Sequence, residues 1–235
     1  LAGSHVPGRI VVEELRLEDE GGANQLWVSG SLDYAQALSW AASLQTSGLD
    51  LLPLSEYGGG RIEGKVQLAG EQTGEEWSLS LLGADLRGTL NKLPARLEGY
   101  AGVDSLLRLA PTDLNAELNG TRLRLRSAAD QAMPAQLDIE MDDLGLWQPG
   151  SHGAVSLQAS LLPGWEEFSV KGTLQELQWQ GLKVRRGDIK ATYQMVPGDR
   201  FSLEVSLADL AVAGLELNSA LFSAAFDAAT RRASL

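Results

Sequence analysis

The chain has 235 residues, of which 44% are apolar and 21% are charged, proportions that are typical of a folded protein. Its formal net charge of −12 argues against nucleic acid and anionic membrane surfaces as partners, because the protein would repel their phosphates. No cysteine is present, which excludes disulfides, thiolate nucleophiles and cysteine-based zinc sites.

Short stretches in which polar and apolar residues alternate follow one another along the chain. The clearest is RIEGKVQLAG, residues 61–70, and its period of two is typical of a β-strand with one wet face and one apolar face. Turn sequences such as Pro-Gly and Asn-Gly separate many of these stretches, so we predict an all-β antiparallel meander. The apolar sides of the predicted strands carry Leu26, Val28, Leu32, Ile62, Val66, Leu68, Trp77, Leu79, Leu81, Leu123, Leu125, Leu137, Ile139, Met141, Val155, Leu157, Leu161, Phe168, Val170, Leu174, Ile189, Tyr193, Phe201, Leu203, Val205 and Leu207.

Two stretches fit a helix as well as a strand. DYAQALSWAASLQTSG, residues 33–48, has Ala35, Leu38 and Ala42 at spacings that would place them on one side of a helix. The end of the chain, residues 222–235, is rich in alanine and could be helical or frayed. Neither alternative changes the predicted class.

The sequence pattern that begins near residue 49 recurs near residue 144. In both segments a leucine-rich strand leads to a proline and a glycine-rich link, and a Glu-Glu-aromatic sequence then opens a later strand. The near-constant offset predicts one supersecondary unit used twice. We therefore expect an N-terminal edge at 1–12, a continuous β region at 13–221 built from units of about 25–118 and 119–215, and a separate C-terminal segment at 222–235.

Few groups suggest chemistry. His5 and His152 are the only histidines, and neither has a second histidine or a carboxylate at ligand spacing in the sequence. DIEMDD, residues 138–143, lacks the glycine and the distal glutamate of an EF-hand loop and fits the wet face of a strand better. NGT, residues 119–121, matches a glycosylation acceptor but is favoured as a turn. We predict neither an enzyme nor a cofactor or metal site.

The assembled stretches resemble the repeats of the TamB/AsmA-like family of Gram-negative bacteria. The resemblance rests on GLDLLPLSEYGGGRIEGKVQLAG, ADLRGTLNKLPARLEGY, DDLGLWQPGSHGAVSLQASL and LQELQWQGLKVRRGDIKATYQM. The resemblance lies in the order and spacing of the predicted strands rather than in individual reactive residues. It extends from about Glu13 to Leu221. Because the chain begins with Leu1 rather than Met, we expect an internal segment of a longer protein.

The resemblance implies a fold and a task. It implies an elongated antiparallel sheet folded lengthwise into an open hydrophobic groove, a β-taco, with the apolar residues given above as its lining. It implies a periplasmic protein anchored in the inner membrane by a segment outside this chain, with the outer-membrane barrel TamA as partner. The ligands would be phospholipid acyl chains on their way to the outer membrane, in support of outer-membrane biogenesis and autotransporter assembly.

Three other interpretations stay open at this stage. The same alternation would suit a closed β-sandwich or barrel in which the apolar faces form an ordinary core. A chaperone-like scaffold could engage unfolded outer-membrane proteins through its groove or by pairing at an edge strand. A polysaccharide-acting enzyme would require a close pair of carboxylates in a cleft, and no predicted strand offers one.

Overall fold

The structure is a computed structural model that describes residues 2–19, 21–22, 24–50, 59–128, 133–162, 166–195, 199–212, 214–227 and 232–234. Within these residues it contains sixteen β-strands and one turn of 3-10 helix, Leu144–Leu146. The chain divides into two units, Leu1–Asn119 and Gly120–Leu235.

Unit 1 is a meander of eight strands in sequence order, each antiparallel to the next. Within the described residues no pairing joins its first strand to its eighth, so the sheet is open rather than a barrel. The strands are β1 (Ala2–Val6), β2 (Arg9–Glu18), β3 (Gln25–Asp33), β4 (Leu38–Asp50), β5 (Gly60–Thr73), β6 (Glu76–Leu90), β7 (Leu93–Asp104) and β8 (Thr112–Leu118).

Unit 2 repeats this architecture with eight further strands, again in sequence order and antiparallel. Its first and last strands are likewise unpaired with each other among the described residues. The strands are β9 (Thr121–Ser127), β10 (Ala135–Met141), β11 (His152–Leu161), β12 (Glu167–Trp179), β13 (Leu182–Gln194), β14 (Arg200–Val212), β15 (Leu215–Asp227) and β16 (Arg232–Ser234).

Two-residue turns fold several of these hairpins. Asn91 and Lys92 join β6 to β7 with φ of 51° and 68°, and Gln180 and Gly181 join β12 to β13 with φ of 47° and 85°. Positive φ at both positions is the type I′ geometry, whose twist matches that of the flanking strands. The NGT sequence is also a turn, as predicted, because Asn119 and Gly120 have φ of 50° and 74°.

The all-β class and the open antiparallel sheet are therefore confirmed. The helical alternative for residues 33–48 is wrong, since Leu38–Asp50 is β4 and pairs on both sides, with β3 and β5. The C-terminal helical alternative is also wrong for the described residues, because Leu215–Asp227 and Arg232–Ser234 are strands that pair with each other. Pairing with neighbouring strands outweighed the helix propensity of alanine at both places.

The two units meet in sequence at Asn119 and Gly120, close to the predicted division between units of about 25–118 and 119–215. Both are eight-stranded meanders. That they are copies of one repeat, and that 1–12 and 222–235 are separate segments, stay predictions.

Candidate functional site

The face of unit 1 that carries Ile62, Val66 and Leu68 is apolar across six strands. Residues paired directly across an antiparallel ladder point to the same side, so the register assigns each side chain to a face. From β3 to β8, none of the paired positions on this face holds a charged residue. All the unit 1 residues of the predicted lining lie on this face: Leu26, Val28, Leu32, Ile62, Val66, Leu68, Trp77, Leu79 and Leu81.

Unit 2 has the same kind of face. From β9 to β15 its paired positions on this side are aliphatic, aromatic, glycine, serine or threonine, with no charged residue. The register brings together on it Leu123, Leu125, Leu137, Ile139, Met141, Val155, Leu157, Leu161, Phe168, Val170, Leu174, Ile189, Tyr193, Phe201, Leu203, Val205 and Leu207. Their role as the lining of a lipid groove stays a prediction.

Very little of either apolar face is buried. The only apolar side chains buried among the described residues are Ala84, Ala95, Ala135, Val184 and Leu210. The protein exposes 15279 Å², whereas two compact domains of half its mass would together expose about 12,400 Å². A closed sandwich would bury most of its inward side chains, so each sheet presents its apolar face instead of using it as a filled core.

The opposite face of each sheet is polar and carries many ion pairs. In unit 1 Asp85 accepts from Arg87 at 3.0 Å, and Lys65 lies directly opposite Asp85 on β5. In unit 2 Arg122 contacts Glu140 at 3.2 Å and Asp142 at 3.0 Å. These side chains are well exposed, so each pair adds little stability, but together they keep this face in water.

The DIEMDD stretch follows this pattern. Glu140 lies on the polar face of β10 and Asp142 just beyond the strand, both exposed and both paired with Arg122. The interpretation as a solvated strand face is therefore confirmed. No group of three or more His, Asp or Glu side chains in the described part of the chain is arranged to hold a metal ion.

Each histidine lies within its own unit beside a polar group that its sequence neighbours did not reveal. His5 Nε2 is 3.1 Å from the Tyr34 hydroxyl. His152 Nδ1 is 3.8 Å from Asp143 Oδ1, because the 3-10 turn after β10 brings the start of β11 back to this carboxylate. Both histidines are exposed, and neither has a nucleophile as its hydrogen-bond partner.

Glycines allow close backbone contacts on the apolar face of unit 1. A Cβ added to Gly64 would overlap the carbonyl oxygen of Asp85, and one added to Gly88 would overlap that of Arg61. Gly64 also has φ of +128°, which strongly favours glycine. At Gly70 the space is filled by the indole of Trp40, its cross-strand partner.

In unit 2 the ladder pairing is interrupted at one level across three strands. The register skips Glu176 on β12, Arg185 on β13 and Asp209 on β14, all at one level of the sheet. Glu176 and Asp209 have φ of 51° and 53°, in the left-handed region. Arg185 lies between them, 3.4 Å from Asp209 and 3.9 Å from Glu176, and borders a shallow depression of about 360 Å³.

Two titratable groups, Asp104 and Tyr193, have shifted pKa values. The Arg108 side chain and the backbone amides of Leu106 and Arg108 donate to Asp104, which lowers the pKa of this carboxyl. The Tyr193 hydroxyl donates to Asp199 at 3.1 Å, which raises the pKa of the phenol. Neither group has the partner set of an acid–base site.

Sequence reasoning located the apolar faces but missed the interrupted pairing in unit 2, the glycine contacts and the alignment of aromatic side chains in unit 2. Phe168, Tyr193, Phe201 and Phe226 are cross-strand neighbours in one row. Their sequence separations show no period, so only the register between strands reveals them.

Two units, each an open meander with a charge-free and uncovered apolar face, define a protein that presents apolar surface instead of enclosing it. The chain matches the family described as TamB, N-terminal domain, over residues 1–233, and it belongs to the TamB family. The resemblance found in the sequence is thereby confirmed. No curated protein and no solved structure matches the chain.

Family membership gives the coarse function. The TamB family is a non-enzymatic component of the cell envelope with a role in outer-membrane assembly or lipid transport, and it works with TamA in an assembly module. None of the described helical residues forms a helix long and apolar enough to cross a membrane.

Proposed function

We propose that this chain is a periplasmic, bridge-like lipid-transport segment whose apolar faces shield phospholipid acyl chains between the inner and outer membranes. The observation that carries the proposal is the charge-free, uncovered apolar face in each unit. Large exposed apolar patches are rare on monomers and mark sites that receive another apolar surface. The predicted lining residues are the proposed contacts for the lipid.

The energetics favour such a role. Each methylene of an acyl chain costs about 0.8 kcal/mol when exposed to water, so a chain of roughly 16 carbons faces a penalty on the order of 12 kcal/mol. A continuous aliphatic face removes much of that penalty. Because apolar contacts have no preferred direction, the lipid can slide without falling into a single deep well. The eight strands of one unit extend over about 35 Å.

The partners and location complete the proposal. We place the segment in the periplasm, within a longer protein anchored in the inner membrane, and we place TamA at its outer-membrane end. The net charge of −12 disfavours adsorption of this segment to anionic membrane surfaces. It is compatible with a segment that lies in the aqueous space between the membranes.

The test compares two arginines introduced on the same strand. Val66 lies on the apolar face of β5 between Leu44 and Ala84, whereas Gln67 lies on the polar face. Val66→Arg should lower the amount of phospholipid that co-purifies with the protein, measured by native mass spectrometry, because the charge would have to be buried among acyl chains. Gln67→Arg should leave it unchanged, as should Lys65→Glu.

Equal lipid content in all three variants, with circular dichroism showing folded sheets, would contradict the proposed lipid-transport function. Absence of co-purified phospholipid from the unmodified protein would remove it as well.

A second candidate is a chaperone-like scaffold that pairs with unfolded outer-membrane strands. It is favoured by the outer edge of β15, which pairs with β16 only at Ala225–Asp227, so that Leu215–Ala224 pairs with β14 on one side and has no described strand on the other. Site-specific photo-crosslinking separates the two functions. Lipid adducts from positions on the apolar faces support transport, and protein adducts from Leu215–Ala224 support the scaffold.

A further inference from the structure

Four aromatic side chains form a continuous row at one end of the strands of unit 2. Phe168 on β12 pairs with Tyr193 on β13, Tyr193 with Phe201 on β14, and Phe201 with Phe226 on β15. All four rings belong to the apolar face. Strands lie about 4.8 Å apart, so the row is about 14 Å wide.

The row is half-exposed and adjoins polar groups. Phe201 and Phe226 are 36% and 46% exposed, and Phe168 and Tyr193 are half-buried. The ends of the same strands carry three polar pairs: Tyr193–Asp199, Gln194–Glu167 at 3.0 Å and Arg200–Asp227 at 3.4 Å. By the register, Glu167, Gln194, Arg200 and Asp227 point to the opposite face of the sheet, whereas the Tyr193 hydroxyl meets Asp199 at the row itself. The row therefore lies at a polar end of these strands.

The rest of the face changes character beyond this row. The next rows toward the other end of the strands are almost wholly aliphatic: Val170 with Ala191, Leu203 and Ala224; Ile189 with Val205 and Phe222; Leu174 with Leu207 and Ala220; and Leu177 with Val184, Leu210 and Leu217. From Phe168 to Leu174 the strand rises about 20 Å. One leaflet of a bilayer has about 15 Å of hydrocarbon, so a full acyl chain fits over these rows.

We propose that the row of Phe168, Tyr193, Phe201 and Phe226 holds the polar–apolar boundary of a bound phospholipid. The ester and headgroup region lies at the row, and the acyl chains extend along the strands over the aliphatic rows. The inference rests on the proposed lipid-transport function and adds to it the orientation of the lipid. Amphipathic aromatic rings favour such boundaries because one part of the ring is apolar and the other tolerates water.

The polar groups match this occupant. A zwitterionic phospholipid presents a cation, and the end of the row offers it the Asp199 carboxylate. The Tyr193 hydroxyl donates to Asp199, and the resulting rise in the pKa of Tyr193 keeps the phenol neutral. The cross-strand partners within the aliphatic rows are apolar or glycine throughout.

The experiment uses the unmodified protein and two photoreactive probes delivered from phosphatidylcholine vesicles. One probe is a phosphatidylcholine with a diazirine in its headgroup, and the other has the diazirine at the end of an acyl chain. After irradiation, mass spectrometry maps the adducts. We expect the headgroup probe to label residues 166–168, 193–195, 199–201 and 226–227, and the acyl probe to label 172–177, 184–189 and 205–210.

A matched pair of variants tests the rings themselves. Phe226 and Phe222 lie on the same face of β15, but Phe222 pairs with Val205 two rows away from the aromatic row. Phe226→Leu combined with Phe201→Leu should lower headgroup labelling at the row by about twofold to tenfold, with acyl labelling retained. Phe222→Leu should leave the headgroup pattern unchanged.

The outcomes separate the two proposals. Labelling by both probes with no difference in position, or the reverse pattern, overturns the orientation and leaves lipid binding standing. Equal headgroup labelling in the row variant and in Phe222→Leu also overturns it, because the rings would then only fill space between strands. Failure of both probes to label unit 2 removes the proposed function there and the orientation with it.

Discussion

The two units shape the same kind of apolar face by different means. In unit 1, glycines let neighbouring strands come so close that a side chain would overlap a carbonyl oxygen, as at Gly64 and Gly88. In unit 2, the ladder skips Glu176, Arg185 and Asp209 at one level of the sheet without a change of register between β12, β13 and β14, and large aromatic rings occupy the strand ends. The contrast teaches that an open meander tolerates little change where backbones touch and much more where exposed side chains leave the ladder.

The largest effect is expected where a side chain would meet backbone. Gly88→Val places a branched side chain against the Arg61 carbonyl, and the backbone must move to accept it. We expect unit 1 to lose about 3 kcal/mol of unfolding free energy, measured from urea denaturation followed by tryptophan fluorescence.

Gly83→Val is the control on the same strand. A Cβ at Gly83 would meet only the Gln67 side chain, at 3.8 Å. Its urea midpoint should stay close to that of the unmodified protein. Similar losses in both variants would mean that strand propensity, not close approach, dictates glycine at position 88.

The next effect concerns whether each face holds lipid by itself. Leu157 lies over Gly172 on the apolar face of unit 2. Leu157→Asp should reduce acyl-probe labelling of residues 120–235 by about tenfold, since a carboxylate among acyl chains is strongly unfavourable. Labelling of residues 1–119 should persist.

The neighbouring Gln158, on the polar face, provides the control as Gln158→Asp, which should retain labelling in both units. Loss of labelling in both units after Leu157→Asp would show that the two faces bind lipid as one.

A smaller effect is expected where the ladder pairing of unit 2 is interrupted. Glu176 has φ of 51°, which costs any residue but glycine some free energy and is worst for a β-branched one. Glu176→Val should lower the unfolding free energy of unit 2 by about 1–2 kcal/mol, and Glu176→Gly should leave it equal or slightly higher. Thermal denaturation of the two variants side by side checks the difference. If Glu176→Gly lowered the unfolding free energy more than Glu176→Val, Glu176 would contribute to stability mainly through its ion pair with Arg185 and not through its backbone conformation.

The smallest effect is pH-dependent and lies at the end of β7. Because the pKa of Asp104 is lowered in the folded state, its ionised form stabilises the loop that returns to Arg108. That contribution is complete above the ordinary carboxyl value of 3.8 and is lost as pH falls through the lower folded-state pKa.

Asp104→Asn should therefore lower the melting temperature slightly at pH 7, and the difference should shrink progressively as the pH falls below 3.8. A difference that persisted unchanged into acid would assign the stabilisation to the hydrogen bonds from Leu106 and Arg108, which asparagine retains in part.

Periodicity alone predicted which side chains share a face. RIEGKVQLAG is β5, and its apolar residues face the same side as Trp77 and Leu79 across the hairpin. Residues 33–48 were ambiguous because small residues such as Ala41 and Ala42 fit either a helix or a strand. Pairing with β3 and β5 decided the outcome there, and pairing is a property of distant segments that a local pattern does not contain.

The remaining features required the register between strands. Gly88 appears in the sequence as an ordinary strand glycine, and only its position opposite Ile62 shows that a carbonyl occupies the space of its side chain. Phe168 and Tyr193 are 25 residues apart, and their contact depends on the type I′ turn at Gln180 and Gly181. A shift of one residue in that turn would move the ring of Tyr193 to the polar face.

The sequence-order strand arrangement has a consequence for folding. Within each unit every described strand obtains its partners from the segments immediately before and after it. Low contact order of this kind favours fast, stepwise folding. Each strand can pair with the strand that precedes it in sequence without a contact between distant segments. Such a sheet can begin to assemble before the later parts of the polypeptide are available.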